Sequence, residues 1–240
     1  MYLVKLLNTL SLYSAKIRFI FLKITEVHME NSPQHIIYDF ETVDTKPTSA
    51  VASVAFILFR PEELKTFDEL VSGALRIKFD IKEQLSTLNR TFSKETIDWW
   101  KSEENAEAYK KVIMSSPQDV SIRFFNEILT KWLADNKYVA NCGEKIWTRG
   151  NNFDPPIFDN IYQKFGWEAN YPWWNVRDVR TEIDAVVPYW DDSHAGHGYI
   201  KDFPYDDKFM KHMETHDCAR DILMMQYAHI GLAHKLSGEK

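Results

Sequence analysis

"IIYDFETVDT", residues 36–45, sets two carboxylates, Asp39 and Glu41, two positions apart among β-branched and aromatic residues. Side chains alternate faces along a strand. As a strand, this stretch points Asp39 and Glu41 one way and Tyr38 and Phe40 the other. Two like charges on one face of a core strand are costly unless a cation neutralises them or one takes up a proton.

The neighbouring segments extend this strand into a sheet. "VDTKPTSA" supplies turn residues, "VASVAFILF" is a second apolar strand ending at Arg60-Pro61, and "LRIKFDI" alternates as a half-exposed third strand does. Short turns between them predict an antiparallel meander. Ser93 is the expected N-cap of a helix over "KETIDWWKSE", and "AEAYKKVIM" continues helical to Ser115. Ser116 as N-cap with Pro117 at the first helical position predicts a helix over "QDVSIRFFNEILTKWLADN", with Val120, Phe124, Ile128, Leu129 and Trp132 on its apolar face. "KIWTRGNNFDPPIFDNIYQKFG" reads as a short strand, a loop and a helix stopped by Gly166. "DDSHAGHGYIKDFPYDDK" reads as a loop, and "THDCARDILMMQYAHIGLAHK" as a final helix periodic through Ile222, Met225, Ala228 and Leu232. Strands first and helices alternating with strands afterwards give an α/β fold, a mixed sheet flanked by helices.

A chain of 240 residues suits one sizeable domain, and 45% hydrophobic with 27% charged residues is an ordinary globular composition. A net charge of −6 excludes a protein that coats nucleic acid through its overall field, while leaving room for a local basic groove. Two cysteines, Cys142 and Cys218, exclude a disulfide framework and fit a reducing, cytoplasmic compartment. The first 28 residues are apolar and basic; Lys16, Arg18 and Lys23 interrupt them, so no stretch spans a bilayer. The expected folded domain is 29–240, starting near Met29, with 1–28 an extension outside the fold; a membrane-surface helix is the alternative for that extension.

Candidate chemistry lies in three places: Asp39-x-Glu41, Asp154 at a strand–loop–helix junction, and His216 with Asp221 at the start of the last helix. Singly each has a bland reading. Asp154 could cap its helix, His216 could sit at the surface, and Asp217 suits a helix N-terminus. Trp99 and Trp100 could stack on bases or pack in the core.

Together they carry more. Asp-x-Glu, then Phe153-Asp154, then His216-x-x-x-x-Asp221 resembles the pattern of the DEDDh 3′–5′ exonucleases. The stretches "IIYDFET", "ETIDWWK", "WTRGNNFD", "PWWNVRDVRT" and "HDCARDILMM" are most similar to the exonuclease A of T-even phages and its mycobacterial exoribonuclease relatives, over residues 36–228. Gly150 departs from many proofreading relatives, which carry asparagine four residues before the second-motif aspartate.

The resemblance implies a ribonuclease H-like fold and two divalent ions, Mg²⁺ or Mn²⁺, held by Asp39, Glu41, Asp154 and Asp221. Hard cations favour such oxygen ligands, and a metal pair stabilises the charge developed in phosphodiester cleavage. It implies His216 as general base and Thr42 at the terminal 3′-nucleotide. Arg149, Arg177 and Arg180 are the candidate phosphate contacts, the other reading being solvated surface charge or ion pairs with Asp178 and Glu182. The expected substrate is the 3′ end of single-stranded or overhanging nucleic acid, DNA ahead of RNA. No membrane partner is expected, a homodimer is compatible with the relatives, and a phage-encoded chain would work in the host cytoplasm. Two alternatives remain: a catalytically silent nucleic-acid-binding module on the same fold, and an HD-type metal phosphohydrolase using His194, His197, His212, His216 and Asp217.

Overall fold

The computed structural model describes residues 33–237 apart from 141, 170 and 188–193, so the expectations for 1–28 lie outside the described residues. Five strands form one sheet in the order β3-β2-β1-β4-β5. These are β1 (His35–Thr42), β2 (Val51–Phe59), β3 (Leu75–Lys78), β4 (Ile146–Thr148) and β5 (Val176–Asp178). The first three pair antiparallel, as the sequence led one to expect; β4 and β5 add in parallel. β1 is therefore central, the position its apolar run suits.

The alternation along β1 sorts its side chains onto two cores. Ile36, Tyr38 and Phe40 pack with Phe56 beneath α4 (Phe125–Asp135) and α5 (Asp154–Phe165), through Phe125, Leu129, Phe158 and Ile161. Ile37, with Ala55 and Ile57 of β2, faces α6 (Val179–Val186) and α7 (Glu214–Ser237) on the opposite side. Asp39 and Glu41 follow Ile37 on that second face, beyond the apolar packing, so the carboxylates sit where β1 runs out toward the start of α7. Two shorter helices lie beside β2 and β3, α1 (Phe67–Ser72) and α2 (Ile81–Thr87), and α3 (Lys94–Trp100) follows them. Ser93 caps α3, its hydroxyl accepting from the Thr96 amide at 3.2 Å, and Gly166 ends α5 in the left-handed region at φ 68°.

Three expectations change. The helix assigned from Ser116-Pro117 begins later, with a 3₁₀ turn at Ile122–Phe124 capped by Ser121 before α4. Val120 is drawn into strand-like pairing instead: its amide donates to the Lys78 carbonyl at 2.9 Å, and its carbonyl accepts from the Asp80 amide at 2.9 Å. The Lys78–Asp119 ion pair at 2.9 Å pins the same segment to β3. Beyond Ala106–Ala108 the "YKKVI" stretch winds as a π-helix. Part of the loop read from "HAGHGYI" is a hairpin, β6 (His194–Gly196) and β7 (Tyr199–Ile200), turning through Gly196, His197 and Gly198, all at positive φ. A Cβ on Gly198 would lie 2.3 Å from the Arg180 Cα, so glycine lets the hairpin close onto α6.

Candidate active site

The sheet assembles an acidic cluster at one end. β4 pairs with β1 only at Ile36 and Ile37 and stops at Thr148, so the Phe40 amide further along β1 has no strand partner on that side. Asp154 supplies one: its Oδ1 accepts from the Phe40 amide at 2.9 Å. Asp154 is the first residue of α5, with Pro155 and Pro156 behind it, and is buried. One hydrogen bond thus fixes the α5 carboxylate to the backbone of β1 at Phe40, near enough to Asp39 and Glu41 to act on their charge.

Two carboxylates of α7 reach the cluster, Asp217 in its first turn and Asp221 one turn later, and the charge of Asp221 acts on both Asp39 and Asp154. Glu41, His212 and Asp217 each offer a ligand atom, all within 4.8 Å of one another. His212 lies just before α7 in the left-handed backbone region, at φ 61°. Its ring stands edge-to-face on Trp99, 4.8 Å between centroids, and nearer to the core lies Trp100 at 5.9 Å. Trp100 is buried and its indole Nε1 donates to the Thr42 carbonyl at 2.9 Å, tying α3 to the end of β1. The "IDWW" stretch therefore has a local role in seating His212, with Trp99 left 41% exposed at the rim.

The site is electrostatically loaded. Burial, and the charge of Asp154 and Asp217, raise the Asp39 carboxyl well above its usual range; burial and Asp39 do the same to Glu41. Burial pushes Asp154 up to about 7 against the hydrogen bond from Phe40, and Asp217 up to about 6 against the pull of Arg220. Burial, with Lys211 and Arg220 adding to it, lowers His212 to about 4, so its ring is a neutral acceptor. A cluster of buried oxygen donors and one imidazole that resist ionising together fits a hard divalent cation, whose charge removes that resistance.

A stability prediction follows. A carboxyl whose pKa is raised on folding adds stability below its unfolded value and loses it as pH rises through the folded value. Between pH 7.5 and 8.5 the lowered histidines are largely neutral in both states, so the slope there belongs to the carboxyls raised furthest by burial, Asp39 and Glu41. The metal-free protein should melt at progressively lower temperature across that window. Saturating Mg²⁺ should flatten the decline, and a metal-free Tm independent of pH would contradict the strained cluster.

Two residues read from the sequence as site members are engaged otherwise. His216 turns away: its Nδ1 accepts from the Met210 amide at 3.0 Å, and its ring packs edge-to-face on Phe67 at 5.1 Å. Asp221 lies close enough to raise the Asp39 pKa, but both its oxygens accept from Arg149 Nε at 3.0 Å, and Oδ1 also accepts from Arg220 Nε at 2.8 Å. Burial would raise the Asp221 carboxyl, yet Arg220 and Arg149 hold it below its ordinary value. His212 and Asp217 repeat the same His-x-x-x-x-Asp spacing four residues earlier, so the spacing alone marks both pairs.

The expected phosphate contacts divide. Arg149 is buried on Asp221 with the Tyr199 ring 4.3 Å away, so it is not free for a phosphate. Arg177 donates to the Trp174 and Val176 carbonyls at the far end of β5. Arg180 is exposed, beside Gly150, and its charge is felt by Asp154. Thr42 is buried, its hydroxyl donating to the Asp44 carbonyl at 2.6 Å. It lines an open pocket of about 430 Å³ with Glu41, Asp44, Trp99 and Phe153. The histidines of the HD-type alternative are not brought together: His194 pairs with Asp184 at 3.0 Å on the hairpin side.

The model of the Rv2179c-like 3′–5′ exoribonuclease domain matches residues 34–196. The chain belongs to this family. The exonuclease is also 37% identical over 213 residues to an exodeoxyribonuclease of Enterobacteria phage T4, covering 80% of this chain and 87% of the phage protein. The exonuclease fold superposes on cell-death related nuclease 4 with a TM-score of 0.56 at 14% identity, over 84% of this chain and 65% of that one. A second match is the nuclease domain of 3′hExo, a DEDDh family member, with a TM-score of 0.45 at 10% identity, over 85% and 92% of the two chains. The fold is ribonuclease H-like, and the protein is a 3′–5′ exonuclease. Among the described residues no helix is long and apolar enough to cross a membrane.

Proposed function

We propose that the exonuclease removes nucleotides from single-stranded or overhanging 3′ ends, with DNA as its preferred substrate, using divalent ions held by Asp39, Glu41, Asp154 and Asp217 and a general base, His212. The observation that carries this reading is the approach of Glu41, His212 and Asp217 to within 4.8 Å of one another, beside Asp39 and Asp154 on the same strand end. Bound divalent ions would supply Lewis-acid stabilisation of the charge that develops in phosphodiester hydrolysis.

The chain's own groups do the rest. His212, kept neutral by burial and neighbouring cations, accepts the proton of the attacking water; an incoming phosphate's negative charge raises its pKa toward the range where a base is effective. Trp99 holds that ring from the side. The pocket between Glu41, Trp99 and Phe153 accommodates the terminal nucleotide, with Trp99 as the exposed aromatic on which its base stacks. Arg180 is the exposed cation nearest Asp154 for a backbone phosphate.

DNA is favoured because the phage relative, 37% identical along most of both chains, is an exodeoxyribonuclease. RNA is the second reading, supported by the exoribonuclease description of the family. The test uses 5′-labelled single-stranded DNA and RNA of one sequence with Mg²⁺, Mn²⁺ or EDTA. The expected result is a ladder shortening from the 3′ end, faster on DNA, abolished by EDTA and blocked by a 3′-phosphate. Faster shortening of RNA reverses the substrate assignment, and cleavage unaffected by EDTA overturns the metal assignment.

A further inference from the structure

The end of the sheet away from the acidic cluster holds a second pocket, of about 520 Å³. That volume suits a small molecule. It opens beside His35 at the start of β1 and Phe59 at the end of β2, which pair across the sheet. Glu41 is six residues further along β1, about 20 Å away at the rise of a strand, so the two sites are separate. Phe59, Trp147 of β4 and Met225 of α7 give the pocket buried apolar walls.

Its polar groups ask for one kind of ligand. The Gln226 amide nitrogen donates to the Pro61 and Glu63 carbonyls at 3.2 and 3.0 Å, which fixes that side chain. Its Oε1 is buried with no hydrogen-bond partner among the described residues. Buried acceptors are nearly always paired, so this oxygen calls for a donor. His35 accepts from the Trp147 indole through Nδ1 at 3.0 Å, and burial lowers it to about 4, so its ring brings no positive charge. Glu62 and Glu144 act on that ring against Lys145. Glu182 of α6 adds a second lining carboxylate, 2.8 Å from His229 Nε2.

We propose that this pocket binds a small organic cation, its apolar body against Phe59, Trp147 and Met225 and its ammonium N–H groups shared between Gln226 Oε1 and the Glu62 and Glu182 carboxylates. An ammonium meets both demands: it donates to an oxygen without a partner, and it carries the charge that the two carboxylates favour. A neutral donor meets only the first, and an anion meets neither. Nucleotides released by the exonuclease carry phosphate and are repelled here. The inference stands apart from the assignment of metal ligands and base.

The test is titration of the full-length protein with tryptamine, tryptophol and indole-3-acetate, which share one ring system and are positive, neutral and negative. NMR signals of the Met225 methyl and the Trp147 indole N–H report this pocket, and the Trp99 indole N–H reports the acidic cluster. Tryptamine should move the first two and bind about five-fold or more tighter than tryptophol, with indole-3-acetate weakest. Glu62→Gln/Glu182→Gln should bring tryptamine down to the affinity of tryptophol. Ile230→Trp, which puts a bulky ring at an exposed lining position, should abolish binding of all three. Both variants alter groups that reach solvent, and both should fold and cleave 3′ ends at the wild-type rate. Three probes that bind alike, or none that moves Met225 and Trp147, overturn the proposal. So do a tryptamine affinity untouched by the double glutamine variant and shifts confined to Trp99, which would place the amine at the acidic cluster. A lysine-centred tripeptide binding more tightly than tryptamine would assign the pocket to a protein partner and overturn the small-molecule reading.

Discussion

His212→Ala should lower kcat by about 10²–10⁴-fold, the usual contribution of a positioned general base, while His216→Ala leaves it near wild type. The two histidines stand four residues apart and both precede an aspartate by five, so sequence spacing treats them alike. Their surroundings do not. His212 has a ligand atom within 4.8 Å of Glu41 and Asp217, whereas His216 spends Nδ1 on the Met210 amide and packs on Phe67. The expected cost of His216→Ala is in stability, on the order of 1 kcal/mol for the lost hydrogen bond. Single-turnover rates at saturating Mg²⁺ read out the difference. Equal losses in both variants, or a loss confined to His216→Ala, would reverse the assignment of the base.

Asp217→Asn should depress cleavage by about 10³-fold or more, because it removes a charge from the proposed metal site and leaves Arg220 without its partner there. Asp154→Asn is the matching change on the other side of the cluster. Asparagine keeps an oxygen for the Phe40 amide, whereas alanine at 154 would also orphan a buried backbone N–H at about 1–3 kcal/mol, mixing a folding defect with a chemical one. The checks are cleavage rate against Mn²⁺ concentration and the melting temperature of each variant. A folded Asp217→Asn enzyme that cleaves at the wild-type rate would sink the metal assignment, and Asp221 would return as the candidate.

The sheet could be read from the sequence because its residues act locally. The two-residue period of "IIYDFET" separates Tyr38 and Phe40 from Asp39 and Glu41, and that separation is the one found between the two cores. Asp154 was equally legible, since the Pro-Pro pair and the stop at Gly166 delimit its helix. The far end of the site was not. Two overlapping His-x-x-x-x-Asp registers, offset by about one helical turn, run into the start of α7, and what separates their surroundings is remote: Trp99 for His212, Phe67 for His216, and Arg149 for Asp221. The surroundings of Arg149 were hidden for a related reason. Its charge invites a phosphate, and only the fold reveals the buried carboxylate waiting one strand-end away. The later start of α4 likewise followed from Val120 joining β3, a partnership that local capping signals do not encode.

The candidate site draws its carboxylates from the first strand of the described fold and from its last helix. During synthesis the ribosome releases β1 early and α7 late. A nascent chain that has not yet extended past Asp217 holds Asp39, Glu41 and Asp154 but has no complete site, whatever metal is present. Because the pairing that completes it spans most of the described fold, assembly is also among the slower events of folding.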